Sequence, residues 1–126
     1  MVIARDRMAQ VEIWHNPGCS KSRRVLQRVR DAGLAPVVVE YLASPPSRER
    51  LREVLGLLGT PDPRVLMRTS EPIYRELALA QVHDAEALLG AMVRHPILIE
   101  RPVIIRDNLR AVIGRPPERV DALLLE

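Results

Sequence analysis

The side chain best suited to chemistry in this sequence is the thiol of Cys19, the only cysteine, in the stretch His15-Asn16-Pro17-Gly18-Cys19-Ser20-Lys21-Ser22-Arg23. An apolar run, Val11-Glu12-Ile13-Trp14, leads into it, and a helical spacing of Val25, Leu26 and Val29 leaves it. The thiol is therefore expected on a strand-to-helix turn made by Pro17-Gly18. The first N–H groups of a helix lack intrahelical partners and carry partial positive charge, so a cysteine there favours its thiolate. Lys21 and Arg23 are expected to add to that field. Three residues after Cys19, where a dithiol redox site has its second cysteine, stands Ser22, so this C-x-x-S site cannot close a disulfide within itself. A free cysteine is otherwise often an inert buried residue. The Pro-Gly turn, the helix start and the two cations favour a reactive one here. His15, four residues upstream, is placed to give the thiolate a hydrogen bond or charge, although a strand-end histidine bonded to backbone would occupy the same position. His83 and His95 read as loop residues at helix ends. With no second cysteine and no acidic cluster, no metal site is expected.

Basic charge is carried almost wholly by arginine, Lys21 being the only lysine among 19 basic side chains. Arg68, Arg101 and Arg115 stand apart because each lies at a break between elements, and the last two are followed directly by proline. Such junctions in an α/β domain can converge at one end of a sheet, where ligands bind. Taken singly, each also fits an exposed surface position. Arginine forks bind oxyanions through paired hydrogen bonds, and negative oxygens repel an attacking thiolate until their charge is masked. A basic hollow beside a thiolate thus suggests thiol attack on an oxyanion centre.

The elements that must position these groups follow in order. A strand over about Val11 to Trp14 precedes a helix from Cys19 to about Asp31, ended by Gly33. Val37-Val38-Val39-Glu40-Tyr41-Leu42 is nearly continuous in β-formers, which suits a strand covered on both faces in a parallel βαβ unit. Ser47 can cap a helix bearing Leu51, Val54, Leu55 and Leu58 and stopped by Gly59. Asp62-Pro63 opens a short helix through Val65, Leu66 and Met67, and Glu71-Pro72 another toward Leu77 and Leu79. Asp84 to Val93 carries Leu88, Leu89, Met92 and Val93 at helical spacing, so about 47 to 95 reads as helical. Pro102-Val103-Ile104-Ile105, an Asp107-Asn108 turn and Ala111-Val112-Ile113 read as a β-hairpin. Pro116 or Pro117 opens a last helix with Val120, Leu123 and Leu124 as its apolar face. The order β-α-β, helices, β-β-α implies an α/β thioredoxin-like fold: a mixed four-stranded sheet flanked by helices, with a helical subdomain inserted at about 47–95.

At 126 residues the chain is expected to form one domain over 11–126, preceded by a flexible extension over 1–10 that lacks the apolar core of a secretory signal. Hydrophobic residues at 47% with 28% charged residues are a globular composition, and no apolar run approaches the roughly 20 residues of a membrane span. The net charge of +3 could serve nucleic acid, but there is no basic run and aromatics are only 2%, so stacking platforms are scarce. A single unpaired cysteine points to a reducing cytoplasm.

The segments HNPGCSKSR, YLASPPSRERL, LMRTSEPIYRELAL, HPILIERPVII and IGRPPERV, in this order and spacing, resemble the glutaredoxin-coupled arsenate reductase family. The similarity runs from about residue 11 to the C-terminus. The resemblance implies reduction of arsenate to arsenite, with glutathione as co-substrate and glutaredoxin as a further reductant; a monomer with no tightly bound cofactor is expected. By motif, Cys19 matches the family's nucleophile, His15 the histidine that supports its thiolate, and Arg68, Arg101 and Arg115 its three oxyanion-binding arginines. The resemblance also implies a cis Arg101-Pro102 bond. The rival reading is a non-enzymatic redox-sensing or transcription-associated protein of the same fold. Related chains of that kind resemble C-x-x-C switches or lack the arginine set. A monothiol glutaredoxin holding an iron–sulfur cluster is a third option, weakened by Ser20-Lys21 where that group would have Gly-Phe.

Overall fold

The computed structural model describes residues 9–125, so the extension expected over 1–10 lies outside the described residues except for Ala9 and Gln10. Four strands, β1 (Val11–Trp14), β2 (Val37–Val39), β3 (Val103–Arg106) and β4 (Arg110–Ile113), form one sheet in the order β2-β1-β3-β4. β1 runs parallel to β2 and antiparallel to β3, and β3 pairs antiparallel with β4. The sheet is mixed, the helices flank it, and the fold is thioredoxin-like as the element order implied.

Side chains alternate across the sheet with the period of two that a pleated strand imposes. Val11 and Ile13 of β1 and Ile104 of β3 face α1 (Ser20–Asp31) and the C-terminal segment, where they pack with Val25, Leu26, Val29, Val120 and Leu123. Trp14, Val103 and Ile105 face the other way, into a larger core built from the helices between β2 and β3. Those helices are α2 (Arg48–Leu58), α3 (Pro72–Glu76) and α4 (Ala85–Arg94), joined through single 3-10 turns. Side chains cap three starts in this segment, the first two as the sequence predicts. Ser47 accepts from the Arg50 N–H, Asp62 from Arg64 and Asp84 from Glu86, and Gly59 ends α2 at φ 86°.

Three expectations need correction. The strand expected over Val37–Leu42 ends at Val39 and is an edge rather than a covered strand, with Val37 59% exposed. β1 already has β3 as its other neighbour, so β2 gains a partner on one side only, and the chain turns away where the Ala43 and Ser44 N–H groups both donate to the Glu40 carbonyl. The helix expected from Val65 is a 3-10 turn, Pro63–Leu66. The last helix is a 3-10 turn at Pro117–Val120 followed by α5 (Asp121–Leu124). The hairpin is where it was expected, with Asp107 and Asn108, both at φ 53°, as the left-handed pair at the centre of a turn that the Leu109 N–H closes onto the Arg106 carbonyl.

Candidate active site

All of the singled-out residues sit at one end of the sheet, and the strand register explains why. Trp14 pairs with Val103, and Val103 with Ile113, so the three lie in line across β1, β3 and β4. The residues just beyond this line are His15 after β1, Arg101-Pro102 before β3, and Gly114-Arg115 after β4. The Gly114 N–H donates to the Pro102 carbonyl at 2.9 Å, which closes the hairpin mouth and sets Arg115 beside Arg101. The Arg101-Pro102 bond is cis, as the resemblance implied, and so is Arg115-Pro116. Arg68 arrives from the helical segment. A lone bridge between Met67 and Ile99, flanked by bonds from the Arg68 N–H to the Leu98 carbonyl (2.7 Å) and from the Glu100 N–H to the Leu66 carbonyl (2.8 Å), ties it against the approach to β3. The three arginines thus come together, with Met67, Thr69, Ser70 and Glu100, around a hollow of about 260 Å³.

Cys19 is the N-cap of α1, in extended backbone with φ −102°. Burial pushes its thiol pKa up, but the N–H groups of Ser22 and Lys21 and the charge and hydrogen bonding of the Arg101 guanidinium outweigh this, and the thiol lies below its ordinary value. The thiol is not on the wall of the hollow; Arg101 joins the two. The charges of Lys21 and Arg23, expected to act on the sulfur, are not what lowers it. Lys21 acts through its amide, and Arg23 donates to the Pro17 carbonyl at 2.7 Å, bracing the turn.

His15 needs a second correction. The residue is 5% exposed, and Nδ1 lies 2.7 Å from Ser22 Oγ rather than on the thiol or the backbone. Burial lowers its pKa; Arg30 and Arg23 lower it further, and Glu40 alone opposes them. The imidazole is therefore neutral near pH 7 and brings no positive charge to the thiolate. Ser22 is the residue that sequence reasoning treated only as a missing cysteine. Fully buried, its hydroxyl accepts from the Asn16 N–H at 3.1 Å and pairs with His15, while its own N–H faces the Cys19 sulfur. Tyr41 was read as part of β2, yet it is 1% exposed beside the site. Burial raises its phenol pKa against the opposing charges of Arg101 and Arg68, with Cys19 and Glu100 adding to the rise. Its phenol stays protonated, a neutral O–H close to both the thiol and the arginines. Only the end of the valine run, visible as Glu40-Tyr41, could have signalled this.

One buried atom of an arginine that lines the hollow has no partner. Arg101 Nε is the only buried side-chain nitrogen or oxygen among the described residues without a hydrogen-bond partner. An unpaired buried donor costs about 1–3 kcal/mol, more on a charged group, so it marks a place where an acceptor belongs. Among the described residues no group of three His, Cys, Asp or Glu side chains could hold a metal ion, and no helix is long and apolar enough to cross a membrane.

Comparison with known proteins identifies the family. The model of the ArsC family matches residues 14–123. The arsenate reductase of Neisseria meningitidis serogroup A is 41% identical over 118 residues, covering 93% of this chain and all of the relative. A protein of Escherichia coli strain K12 named "Uncharacterized protein YfgD" is 48% identical over 112 residues, covering 88% of this chain and 93% of its own. Among solved structures, the arsenate reductase of Vibrio cholerae superposes with a TM-score of 0.87 at 42% identity, covering 92% of this chain and 98% of that one. With the family model matching all but the two ends, and relatives this similar along nearly their whole length, the chain belongs to the ArsC family.

Proposed function

We propose that this protein is an arsenate reductase that works through the Cys19 thiolate, with glutathione and glutaredoxin as its reductants. The observation that supports this reading most is the meeting of Arg68, Arg101 and Arg115 around one hollow, with Arg101 also reaching the thiol and keeping one buried N–H without a partner. The guanidinium groups hold the arsenate oxygens and mask their charge. The Cys19 sulfur then attacks arsenic, an As–S bond forms, and one arsenate oxygen leaves as water after taking up protons. Glutathione supplies the second thiol. In net terms arsenate, the Cys19 thiol and glutathione give arsenite, water and a Cys19–glutathione mixed disulfide. Arsenic gains two electrons and the two sulfurs lose one each. Because the third residue after Cys19 is Ser22 and the chain has no other cysteine, that disulfide has to be resolved from outside. Glutaredoxin does this with a further glutathione, releasing glutathione disulfide and the free thiol. A reducing cytoplasm suits the single free cysteine.

The deciding experiment follows NADPH consumption with arsenate, glutathione, glutaredoxin and glutathione reductase. Arsenate-dependent oxidation that also requires glutaredoxin is the expected result. No arsenate-dependent consumption with any thiol donor would overturn the reading in favour of a non-enzymatic role.

A further inference from the structure

Among the three arginines of the hollow, Arg68 alone is ion-paired to a carboxylate among the described residues. Its Nη2 lies 3.0 Å from Oε2 of Glu71, and both side chains are largely shielded, 20% and 15% exposed. The Glu71 N–H donates to the Arg68 carbonyl, folding the intervening Thr69 and Ser70 into a turn that sets the carboxylate behind the guanidinium. Glu71 flanks the start of α3 but caps nothing there, and it does not line the hollow. Its carboxylate is committed to Arg68. A guanidinium carries five N–H donors, so one carboxylate leaves others for a ligand. Glu100 adds a carboxylate to the wall, yet no ion pair ties it to an arginine among the described residues.

We propose that Glu71 is a positioning residue acting through Arg68: it holds the guanidinium at the hollow, shares it with the bound oxyanion, and reclaims it when that charge is gone. The inference rests on reading the hollow as an arsenate site. Arsenate arrives as an anion, whereas arsenite leaves near pH 7 as neutral arsenous acid. A neutral product offers Arg68 no charge, so Glu71 regains the full interaction and the product is let go. The same carboxylate limits how firmly the hollow retains other oxyanions. Three guanidinium groups with no internal counter-charge would hold sulfate or phosphate more tightly.

The test is protection of Cys19 from iodoacetamide by sulfate, a dianion that does not react with thiols, in the full chain. Wild type is compared with Glu71→Gln, which keeps a carbonyl acceptor for Arg68 and removes the charge. Glu86→Gln is the control, because Glu86 pairs with Arg52 at 2.7 Å on the exposed side of α2 and its loss changes net charge equally. Sulfate should protect Glu71→Gln at about five- to tenfold lower concentration, the size expected when one charge is removed a few ångströms behind the site. KM for arsenate should fall with it, and kcat should fall as release slows. Glu71→Asp, which keeps the charge, should return sulfate affinity toward the wild-type value, and Glu86→Gln should match wild type throughout. Weaker or unchanged protection in Glu71→Gln, as a merely structural role would give, overturns the proposal. So does equal tightening in Glu86→Gln. A wild-type protein that sulfate does not protect would instead overturn the anion-site reading beneath it.

Discussion

Cys19 owes its reactivity to groups outside its own side chain. Burial alone would raise its pKa, and two N–H groups of α1 with the Arg101 guanidinium reverse that. Iodoacetamide should therefore alkylate it readily at pH 7, with a titration midpoint below the ~8.5 of a free thiol. Arg101→Ala should move that midpoint up, and its turnover with arsenate should drop by about 10²–10³, the scale of losing one preorganised oxyanion donor. Arg52→Ala, on the surface, should leave both unchanged. Equal losses at the two positions would mean a general charge effect. Cys19→Ser should keep the fold by circular dichroism and lose all turnover, since a neutral hydroxyl is a far poorer nucleophile than a thiolate. Ser22 supports the same sulfur from below. Ser22→Ala strips His15 Nδ1 and the Asn16 N–H of a buried partner, a loss of about 1–3 kcal/mol that urea melts would register.

At the level of elements, the site depends on a hairpin whose two ends meet. Gly114 sits where they do. A Cβ there would lie 3.1 Å from each of Pro102 Cγ, Val120 Cγ1 and Val25 Cγ2, three stiff side chains from three separate elements. Gly114→Ala should therefore destabilise the protein by about 1–3 kcal/mol through overpacking. It should also weaken sulfate protection of Cys19, because the displaced segments carry Arg101 and Arg115; unchanged protection would mean that the strain is absorbed elsewhere. The hairpin was legible in the sequence because β-formers flank an Asp-Asn turn, and α1, α2 and α4 were legible from their apolar spacing, with Ser47 and Gly59 also marking the ends of α2. β2 was not. A run of β-branched residues looks alike in a central strand and an edge strand, and which it is depends on where β3 inserts, a choice made far along the chain. The convergence of Arg68 with the other two arginines was open to suspicion from its place at a junction. The Met67 to Ile99 bridge that brings it there has no local signature, nor does the Ser22 hydroxyl's turn toward His15.

For the molecule as a whole, the sheet separates two apolar clusters, and the polar groups of the site lie where both end. His15 is the one buried histidine among the described residues, and this links the site to global stability. Its pKa in the folded protein lies below the ordinary imidazole value, chiefly through burial. The unfolded chain, with an unperturbed histidine at about 6.5, takes up a proton first as the pH falls. Stability from this residue is thus fully present above the unfolded value and is lost as pH drops through the window between the unfolded and folded values. The His15 share of the thermal midpoint should be flat from pH 8 to 7 and decline from about pH 6.5 downward, beside a loss that begins at higher pH from the lowered Cys19 thiol, which wild type and a His15 variant share. His15→Gln cannot take up that proton, so it should melt lower than wild type at pH 8, having lost the Ser22 contact, yet show a shallower decline toward pH 5. The two curves should converge as the wild type loses what the variant never had. Parallel curves would mean that folding does not shift the His15 pKa; curves that diverge toward low pH would mean that the folded protein holds His15 protonated, and its charge would then count among those acting on Cys19.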